Sequence, residues 1–476
     1  MSDPKVRTEH DMLGTATVPA EAYYGVHTAR ALANFPISGE TLAARPHLVV
    51  ALAAVKQAAA AANAEVGALP ERIGSAIVAA CEEIRAGRLH DQFVVDLVQG
   101  GAGTSTNMNA NEVIANRALE ILGRPRGDYA VVHPLDHVNL GQSTNDVYPT
   151  AVKLALDAHL GELLAALAVL RAAFEAKAAE FADVLKMGRT QLQDAVPMTL
   201  GQEFGAFAVT LGEDELRLSE VRLLLHELNL GGTAIGTGLN ARPGYREAAL
   251  AHLRDITGIG TLVSATDLVE ATQDVGVFVQ LSGVLKRTAV KVSKICNDLR
   301  LLSSGPQAGF GEIALPARQA GSSIMPGKVN PVIPEVVNQI AFDIIGNDVT
   351  VTLAAEGGQL QLNPFEPVIA RVLSAGMGHL AAGLRVLAEQ CVAGIEARRE
   401  HLSAIVASSA ALVTALSPAL GYETACAIAV EAHRDGRPAL DLVRERTALT
   451  EEQLAALLAP EVLTGRNVVP AGESAG

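Results

Sequence analysis

The sequence predicts an all-α protein built around a long central helix bundle. Alanine and leucine carry most of the hydrophobicity, whereas aromatic residues make up 3% of the 476 residues and tryptophan is absent. Alanine and leucine lose little conformational freedom in a helix, so this composition favours helices over sheets. Several long segments also place apolar residues at helical intervals. Helices longer than about 10–14 residues need packing partners, which makes a bundle the expected architecture.

The predicted elements follow in order along the chain. Residues 1–45 are expected to form loops and short elements, because glycine and proline interrupt any longer period. Helices are predicted at 48–66, 70–86, 106–122, 146–183, 199–228, 264–302, 334–356 and 367–394. The proline-free stretch at 264–302 would measure roughly 60 Å as one helix.

This pattern predicts three domains. They are an N-terminal domain at 1–142, a central helical bundle domain at 143–396 and a small C-terminal helical domain at 397–476. Several of the long helices carry wide apolar faces, which predicts that other subunits help to bury them.

Charge and cysteine content narrow the class of protein. A formal net charge of -15 gives no global attraction to nucleic acid or to an anionic membrane surface, so neither partner is expected. The four cysteines form no C-x-x-C pair, which favours free thiols in a reducing compartment. The first residues lack a leader pattern, and no run of ~18 uninterrupted apolar residues occurs. These features predict a cytoplasmic protein.

Four polar segments between the helices carry the functional signal. They are GGAGTSTNMNANE (100–112), GQSTNDVYPT (141–150), GRTQLQDAVP (188–197) and GSSIMPGKVNP (321–331). The first two place hydroxyls and amides just before a predicted helix, whose free N–H groups and partial positive charge attract small anions. Simple N-capping is the alternative for either segment alone. Together, the four segments supply the several donors that a dicarboxylate needs.

The segment at 321–331 favours a catalytic lid. Gly321 and Gly327 allow unusual backbone angles, and Ser322 lies close in sequence to Lys328 and Asn330. A helix–helix connection with a solvated lysine is the alternative interpretation.

The sequence lacks the motifs of several other common functional sites. The chain has no P-loop and no G-x-S-x-G elbow, and the glycines at 236–240 lack the strand and acidic residue of a dinucleotide site. His133 and His137 have i,i+4 spacing, but they lie in a proline-containing loop, which disfavours a metal site there.

The four segments together resemble the aspartase/fumarase superfamily. GSSIMPGKVNP matches the superfamily signature G-S-x-x-M-x-x-K-x-N, and the resemblance extends over nearly the whole chain. It implies a three-domain helical chain that forms a homotetramer around a twenty-helix core. Each active site would take residues from three chains, and no cofactor and no metal ion are expected to take part.

Within the superfamily, the chain resembles aspartases more than class II fumarases. YYGVHT (23–28) and GQLQLNPFEP (358–367) look like aspartase segments, and Gln191 stands where fumarases usually carry a histidine. Gly141 departs from the usual serine, and Leu135 departs from the fumarase H-P-N-D segment. The implied activity is the reversible elimination of ammonia from L-aspartate to give fumarate. A class II fumarase and a non-catalytic helical oligomer are the alternatives.

The resemblance also assigns residues to roles. Ser322 is implied to be the base that removes the Cβ proton of the substrate, as an alkoxide, which leads to an aci-carboxylate intermediate. Eight residues are implied to bind the substrate: Thr104, Ser143, Thr144, Asn145, Thr190, Gln191, Lys328 and Asn330. Lys328 and Asn330 are expected at the α-carboxylate, Asn145 and Gln191 near the amine, and the other four at the β-carboxylate.

Overall fold

A computed structural model describes residues 6–464 of the chain, and these residues are mainly helical. The α-helices are α1 (Val26–Asn34), α2 (Pro46–Glu65), α3 (Glu71–Arg85), α4 (Thr104–Ile121), α5 (Thr144–Glu180), α6 (Leu200–Leu224), α7 (Tyr245–Thr257), α8 (Leu268–Gln273), α9 (Gly276–Leu302), α10 (Val332–Glu356), α11 (Glu366–Gln390), α12 (Arg399–Ser408), α13 (Leu412–Leu420), α14 (Tyr422–Asp435), α15 (Ala439–Arg446), α16 (Glu451–Leu457) and α17 (Pro460–Leu463). The predicted all-α class is confirmed.

The strands of the described residues form two-stranded ribbons. They are β1 (Val6–Asp11), β2 (Gly14–Pro19), β3 (Leu185–Thr190), β4 (Gln193–Thr199), β5 (Glu227–Leu228), β6 (Val263–Ser264), β7 (Ile313–Ala314) and β8 (Glu396–Ala397). β1 pairs with β2, β3 with β4 and β7 with β8, all antiparallel, whereas β5 and β6 are parallel. The segment at 188–197, expected to be a loop, therefore forms most of a β-hairpin.

The predicted single helix at 264–302 is wrong. The chain instead forms α8 and α9, separated by Asp274 and Val275, and Asp274 is extended with a ψ of 130°. The Asp274 carboxylate accepts the N–H of Gly276 at 3.0 Å and so satisfies a free donor at the start of α9. Hydrophobic spacing continues across the break, so it could not reveal this local cap. Two further helices, α1 and α7, were not predicted.

The chain divides into two compact units, each assembled from separate stretches. Unit 1 contains the described residues up to Ala165, Leu216–Ala289 and Ile340–Ala381. Unit 2 contains Ala166–Glu215, Val290–Gln339 and the described residues from Ala382 onward. These units are groups of contacts rather than consecutive segments, so the predicted three-domain boundaries stay predictions.

In unit 1, the alanine-rich helix α2 packs against α3 and α7. Leu52, Val55 and Ala58 of α2 are fully buried. Small side chains let neighbouring helices approach closely, so alanine supplies here the packing that larger side chains supply in other cores.

Within residues 6–464, two helical segments combine the length and composition of a membrane span. They are Pro46–Glu65 and Glu366–Gly394, and a bent pair formed by α12 and α13 would be a third candidate. Inside the protein, 78% and 67% of the two apolar windows are buried. The apolar faces thus have partners within the fold, and the absence of a membrane partner stays a prediction.

In unit 2, an aromatic cluster joins the end of α5 to α6. The rings of Phe181 and Phe204 lie 5.4 Å apart, and Phe174 and Phe207 extend the cluster. The helices come close at Gly201, where an added Cβ would lie 2.5 Å from the Ala178 carbonyl oxygen. Residues of α13 to α16 form a further apolar cluster, which includes Val413, Leu416, Ile428, Leu442 and Leu454.

We predict that Gly201→Ala destabilises the protein. The added methyl group must push the backbone of α5 away, and overpacking of this kind costs about 1–3 kcal/mol. Gly205→Ala in the same helix is the matched control, because its Cβ would meet the Ala178 Cβ at an ordinary 3.7 Å. Thermal unfolding should show a lower Tm for Gly201→Ala and an unchanged or higher Tm for Gly205→Ala. Equal Tm values for the two variants would contradict the close approach.

Candidate active site

The residues predicted to form the site fall into two groups. Unit 1 holds four of them at the starts of α4 and α5: Thr104, Ser143, Thr144 and Asn145. Unit 2 holds the other five, at the β3–β4 turn and in the 321–331 loop: Thr190, Gln191, Ser322, Lys328 and Asn330.

The structure brings the starts of α4 and α5 together. The Asn107 side-chain amide of α4 donates to the Thr144 hydroxyl at 3.1 Å. Gly103 precedes α4 with φ +88°, and an added Cβ there would lie 2.5 Å from the Tyr148 ring of α5. Only glycine fits this conformation and this close approach. Two helix N-termini, each with partial positive charge, therefore lie side by side, with the Thr104 side chain exposed.

A buried carboxylate holds the first turn of α5. One Asp146 oxygen accepts the Ser143 N–H at 2.8 Å, and the other accepts the N–H groups of Gly231 (2.9 Å) and Thr233 (3.2 Å). Burial raises the pKa of Asp146, while the three backbone donors act in the opposite direction. The Asn145 amide donates to the Ala234 carbonyl at 2.7 Å. These hydrogen bonds fix the 143–145 segment in place, and the segment remains partly exposed.

A buried lysine supports the same segment. Lys56 is fully buried in α2, and its ammonium group donates to Asn139 Oδ1 at 2.8 Å and to Gln142 Oε1 at 2.9 Å. The Asn107 amide also donates to Asn139 Oδ1, at 3.1 Å. Lys56 is not among the predicted site residues, although a lone lysine inside an alanine-rich segment was a detectable signal.

Thr190 and Gln191 lie at the tip of the β3–β4 hairpin. Gln191 and Leu192 form its two-residue turn with φ values of 53° and 64°. This turn type matches the twist of the strands, but it usually requires glycine or asparagine. Each non-glycine residue held in this region costs of order 1–3 kcal/mol. The tip therefore presents its exposed side chains in a conformation that the rest of the hairpin must support.

Buried charges hold β3 in place. The Lys186 ammonium group contacts Glu203 at 2.6 Å and the fully buried Glu312 at 2.9 Å, and Arg189 also pairs with Glu312. Removing one partner of such a buried pair is strongly destabilising, so these pairs anchor β3 both near its start, at Lys186, and beside the turn, at Arg189.

The 321–331 loop closes on itself around Ser322. The Gly321 N–H donates to the Lys328 carbonyl at 2.7 Å, and the Asn330 amide donates to the Gly321 carbonyl at 3.0 Å. The Ser322 hydroxyl oxygen accepts the N–H groups of Ile324 (3.2 Å) and Met325 (3.1 Å). Such bonds occur in ordinary serine turns, but two donors on one oxygen also favour its anionic form.

Lys328 and Asn330 line a cavity of about 510 Å³ in unit 2. Arg300 and Arg398 line it as well and add positive charge, and Glu335 contributes one carboxylate. Ser322 is not among the described residues that line this cavity. The structure thus places two of the three loop residues at one cavity, and the serine within the loop itself.

The histidine pair at 133 and 137 caps its own turn. His133 Nδ1 accepts the N–H groups of Leu135 (3.2 Å) and Asp136 (3.1 Å), and the His133 N–H donates to His137 Nδ1 at 2.8 Å. Both Nδ1 atoms are therefore engaged by the backbone.

The chain is similar in sequence to known lyases. A family model described as lyase matches residues 14–346, and a model of the fumarase C C-terminus matches residues 412–465. The chain is 59% identical to an aspartate ammonia-lyase of Pseudomonas aeruginosa, over 98% of both chains. It is 52% identical to an aspartate ammonia-lyase of Escherichia coli K12, over 94% of both chains.

Two solved structures have a similar fold. A fumarate lyase:delta crystallin from Brucella melitensis bound to cobalt is 56% identical with a TM-score of 0.94, covering 97% of this chain and 100% of that chain. A class II fumarase from Schistosoma mansoni is 36% identical with a TM-score of 0.91, at the same coverage.

We predict that Lys56 makes stability depend on pH. Burial lowers the pKa of Lys56 to about 7, below its ordinary value of 10.5. Between these values the unfolded state binds the additional proton, so stability rises with pH, by up to about 1.4 kcal/mol per pH unit. Lys56→Met removes this contribution. The Tm should therefore rise less from about pH 7 to about pH 9 in this variant than in the parent protein.

The exposed Lys294 provides the matched control for this measurement. Lys294→Met makes the same chemical change on a side chain that is 67% accessible. Its Tm should follow pH as in the parent protein. If Lys56→Met also followed the parent curve, Lys56 would not be the group responsible.

Proposed function

Because this chain belongs to the lyase family and is a carbon–nitrogen lyase, we propose that it catalyses the reversible elimination of ammonia from L-aspartate to give fumarate. The observation that carries this proposal is the identity of 52–59% to aspartate ammonia-lyases over nearly the whole chain. Because the chain is a carbon–nitrogen lyase, we set aside the alternative of a non-catalytic helical oligomer. The class II fumarase from Schistosoma mansoni is less similar, at 36% identity.

The substrate is a dicarboxylate, and we propose that unit 1 binds its β-carboxylate. Thr104 and Thr144 are the first residues of α4 and α5, whose adjacent N-termini favour an anion. Ser143 adds a further hydroxyl in unit 1, and we also assign Thr190, which belongs to unit 2, to this carboxylate. Asp146 and Lys56 touch the supporting segment rather than the exposed surface, so we assign them a positioning role.

We propose that Lys328 and Asn330 bind the α-carboxylate. Lys328 supplies a full positive charge and Asn330 an amide, and both line the cavity of unit 2. Asn145 and Gln191 would lie near the amine. Glutamine at 191 is neutral at all pH values, so it can hydrogen-bond to the amine without competing for its proton.

The proposed base is Ser322. A neutral hydroxyl is too weak to remove a Cβ proton, so the reaction requires the alkoxide form. The N–H groups of Ile324 and Met325 already point at the Ser322 oxygen, and they would stabilise that charge. Movement of the loop over the substrate would exclude water and bring Lys328 close as well.

The reaction then proceeds in two steps. Ser322 takes the Cβ proton, and the electron pair moves into the β-carboxylate, which becomes an aci-carboxylate dianion. The dianion then re-forms the carboxylate while the Cα–N bond breaks, giving fumarate and ammonia. Each preorganised donor to such an oxyanion contributes about 10²–10³ in rate, so the hydroxyls of unit 1 act mainly on this intermediate.

We further propose a cytoplasmic homotetramer with shared active sites. Large apolar side chains are exposed on the long helices, among them Val209 of α6, Val290 of α9 and Leu353 of α10. Val209 and Leu353 are 65% and 64% exposed. Exposed apolar faces of this extent are typical of surfaces that other subunits cover.

We predict that Ser322→Ala loses most of the activity. Removal of a general base lowers kcat by roughly 10²–10⁴-fold, and KM should change much less because Ser322 does not bind the carboxylates. Fumarate formation from L-aspartate, followed by ultraviolet absorbance, measures both constants. Ser408→Ala makes the same change at an exposed helix end and should leave both constants unaltered. Full activity in Ser322→Ala would refute the base assignment.

We also predict that the purified protein forms fumarate from L-aspartate and not from L-malate. Each mole of fumarate should be accompanied by one mole of ammonia, which a coupled assay quantifies. Fumarate from L-malate alone would identify the enzyme as a hydratase. It would also mean that Gln191 does not discriminate between the two reactions.

A further inference from the structure

Three potential metal ligands meet in unit 1, within a single cluster. His47 is the second residue of α2, and His159 and Glu162 are one turn apart on α5. Side chains at i and i+3 of a helix share a face, so α5 presents both of its ligands to the start of α2. None of the three has a role in the proposed reaction.

The ligand atoms are already close. His47 Nε2 lies 3.1 Å from Glu162 Oε1, and the rings of His47 and His159 are 4.5 Å apart and nearly perpendicular. One donor atom from each residue lies within 4.8 Å of the others. Donors around a tetrahedral ion at ~2.0–2.1 Å are roughly 3.4 Å apart, so side-chain adjustment of little more than ~1 Å completes the site.

An unpartnered nitrogen distinguishes this cluster from a simple ion pair. His159 Nδ1 is buried and has no hydrogen-bond partner among the described residues. An ion pair between His47 and Glu162 accounts for the 3.1 Å contact but leaves this nitrogen unsatisfied. A ligand that coordinates nitrogen lone pairs accounts for both observations, because buried polar atoms otherwise have partners.

We propose that His47, His159 and Glu162 bind a divalent transition-metal ion such as zinc or cobalt(II). Two imidazoles and one carboxylate suit these ions, whereas magnesium and calcium prefer oxygen ligands alone. Glu162 is half exposed, so water can reach the fourth coordination position. The ion would link the first turn of α2 to α5 and stabilise unit 1, independently of catalysis.

Cobalt(II) is the probe for the test, because its visible absorption reports coordination directly. The full-length protein is stripped of metal with a chelator and titrated with cobalt(II) chloride, and equilibrium dialysis gives the stoichiometry. We expect one ion per chain and a higher Tm with metal. His47→Gln, His159→Gln and Glu162→Gln should each weaken binding at least about tenfold, since each removes one ligand.

His252→Gln is the matched control. His252 pairs with Glu65 at 2.8 Å, so it reproduces the histidine–carboxylate contact without a third ligand. This variant should bind cobalt as the parent protein does. Circular dichroism checks folding, and Glu162→Gln covers the case in which a histidine variant unfolds, because Glu162 lies at the surface. Absence of saturable binding, or equal binding by parent and ligand variants, would overturn the proposal.

Discussion

A single buried polar network holds the proposed substrate-binding face of unit 1 in place. The Lys56 side-chain nitrogen is fully buried, so its N–H donors must find acceptors inside the protein. It finds them on Asn139 and Gln142, and Asn139 also accepts from Asn107, which donates to Thr144. If the segment at 139–142 moved, these buried groups would lose their hydrogen-bond partners. The network therefore specifies one position for the start of α5 relative to α4.

In unit 2, buried charged side chains hold the exposed residues in place. Glu312 is fully buried, and the cations of Lys186 and Arg189 hold it against β3. That anchorage supports the strained turn at Gln191 and Leu192, whose positive φ values the local sequence does not favour. In both units, exposed groups assigned to the substrate rest on buried polar groups that do not touch it. Such an arrangement provides the preorganisation that oxyanion stabilisation needs.

Composition explains how so few aromatic residues suffice for this fold. Alanine in α2 allows α3 and α7 to pack closely, and glycine at Gly201 does the same between α5 and α6. The long helices keep apolar side chains exposed, for example Val290 and Leu353, so the single chain leaves part of its apolar surface uncovered. Two helical segments would even pass for membrane spans by composition, although most of each is buried in the fold.

The sequence by itself determined the helical class, most of the long helices, the four polar segments and the superfamily signature around Ser322. These follow from local periodicity and from motifs, which a linear chain displays directly. Only the tertiary structure decided the break at Asp274, the hairpin that presents Gln191, and the roles of Lys56 and Asp146 beneath the site. It also brought His47 next to His159 and Glu162. Some of these features depend on contacts between residues that are far apart in sequence, and others depend on one side chain that caps a backbone group. Hydrophobic periodicity predicts neither kind of contact.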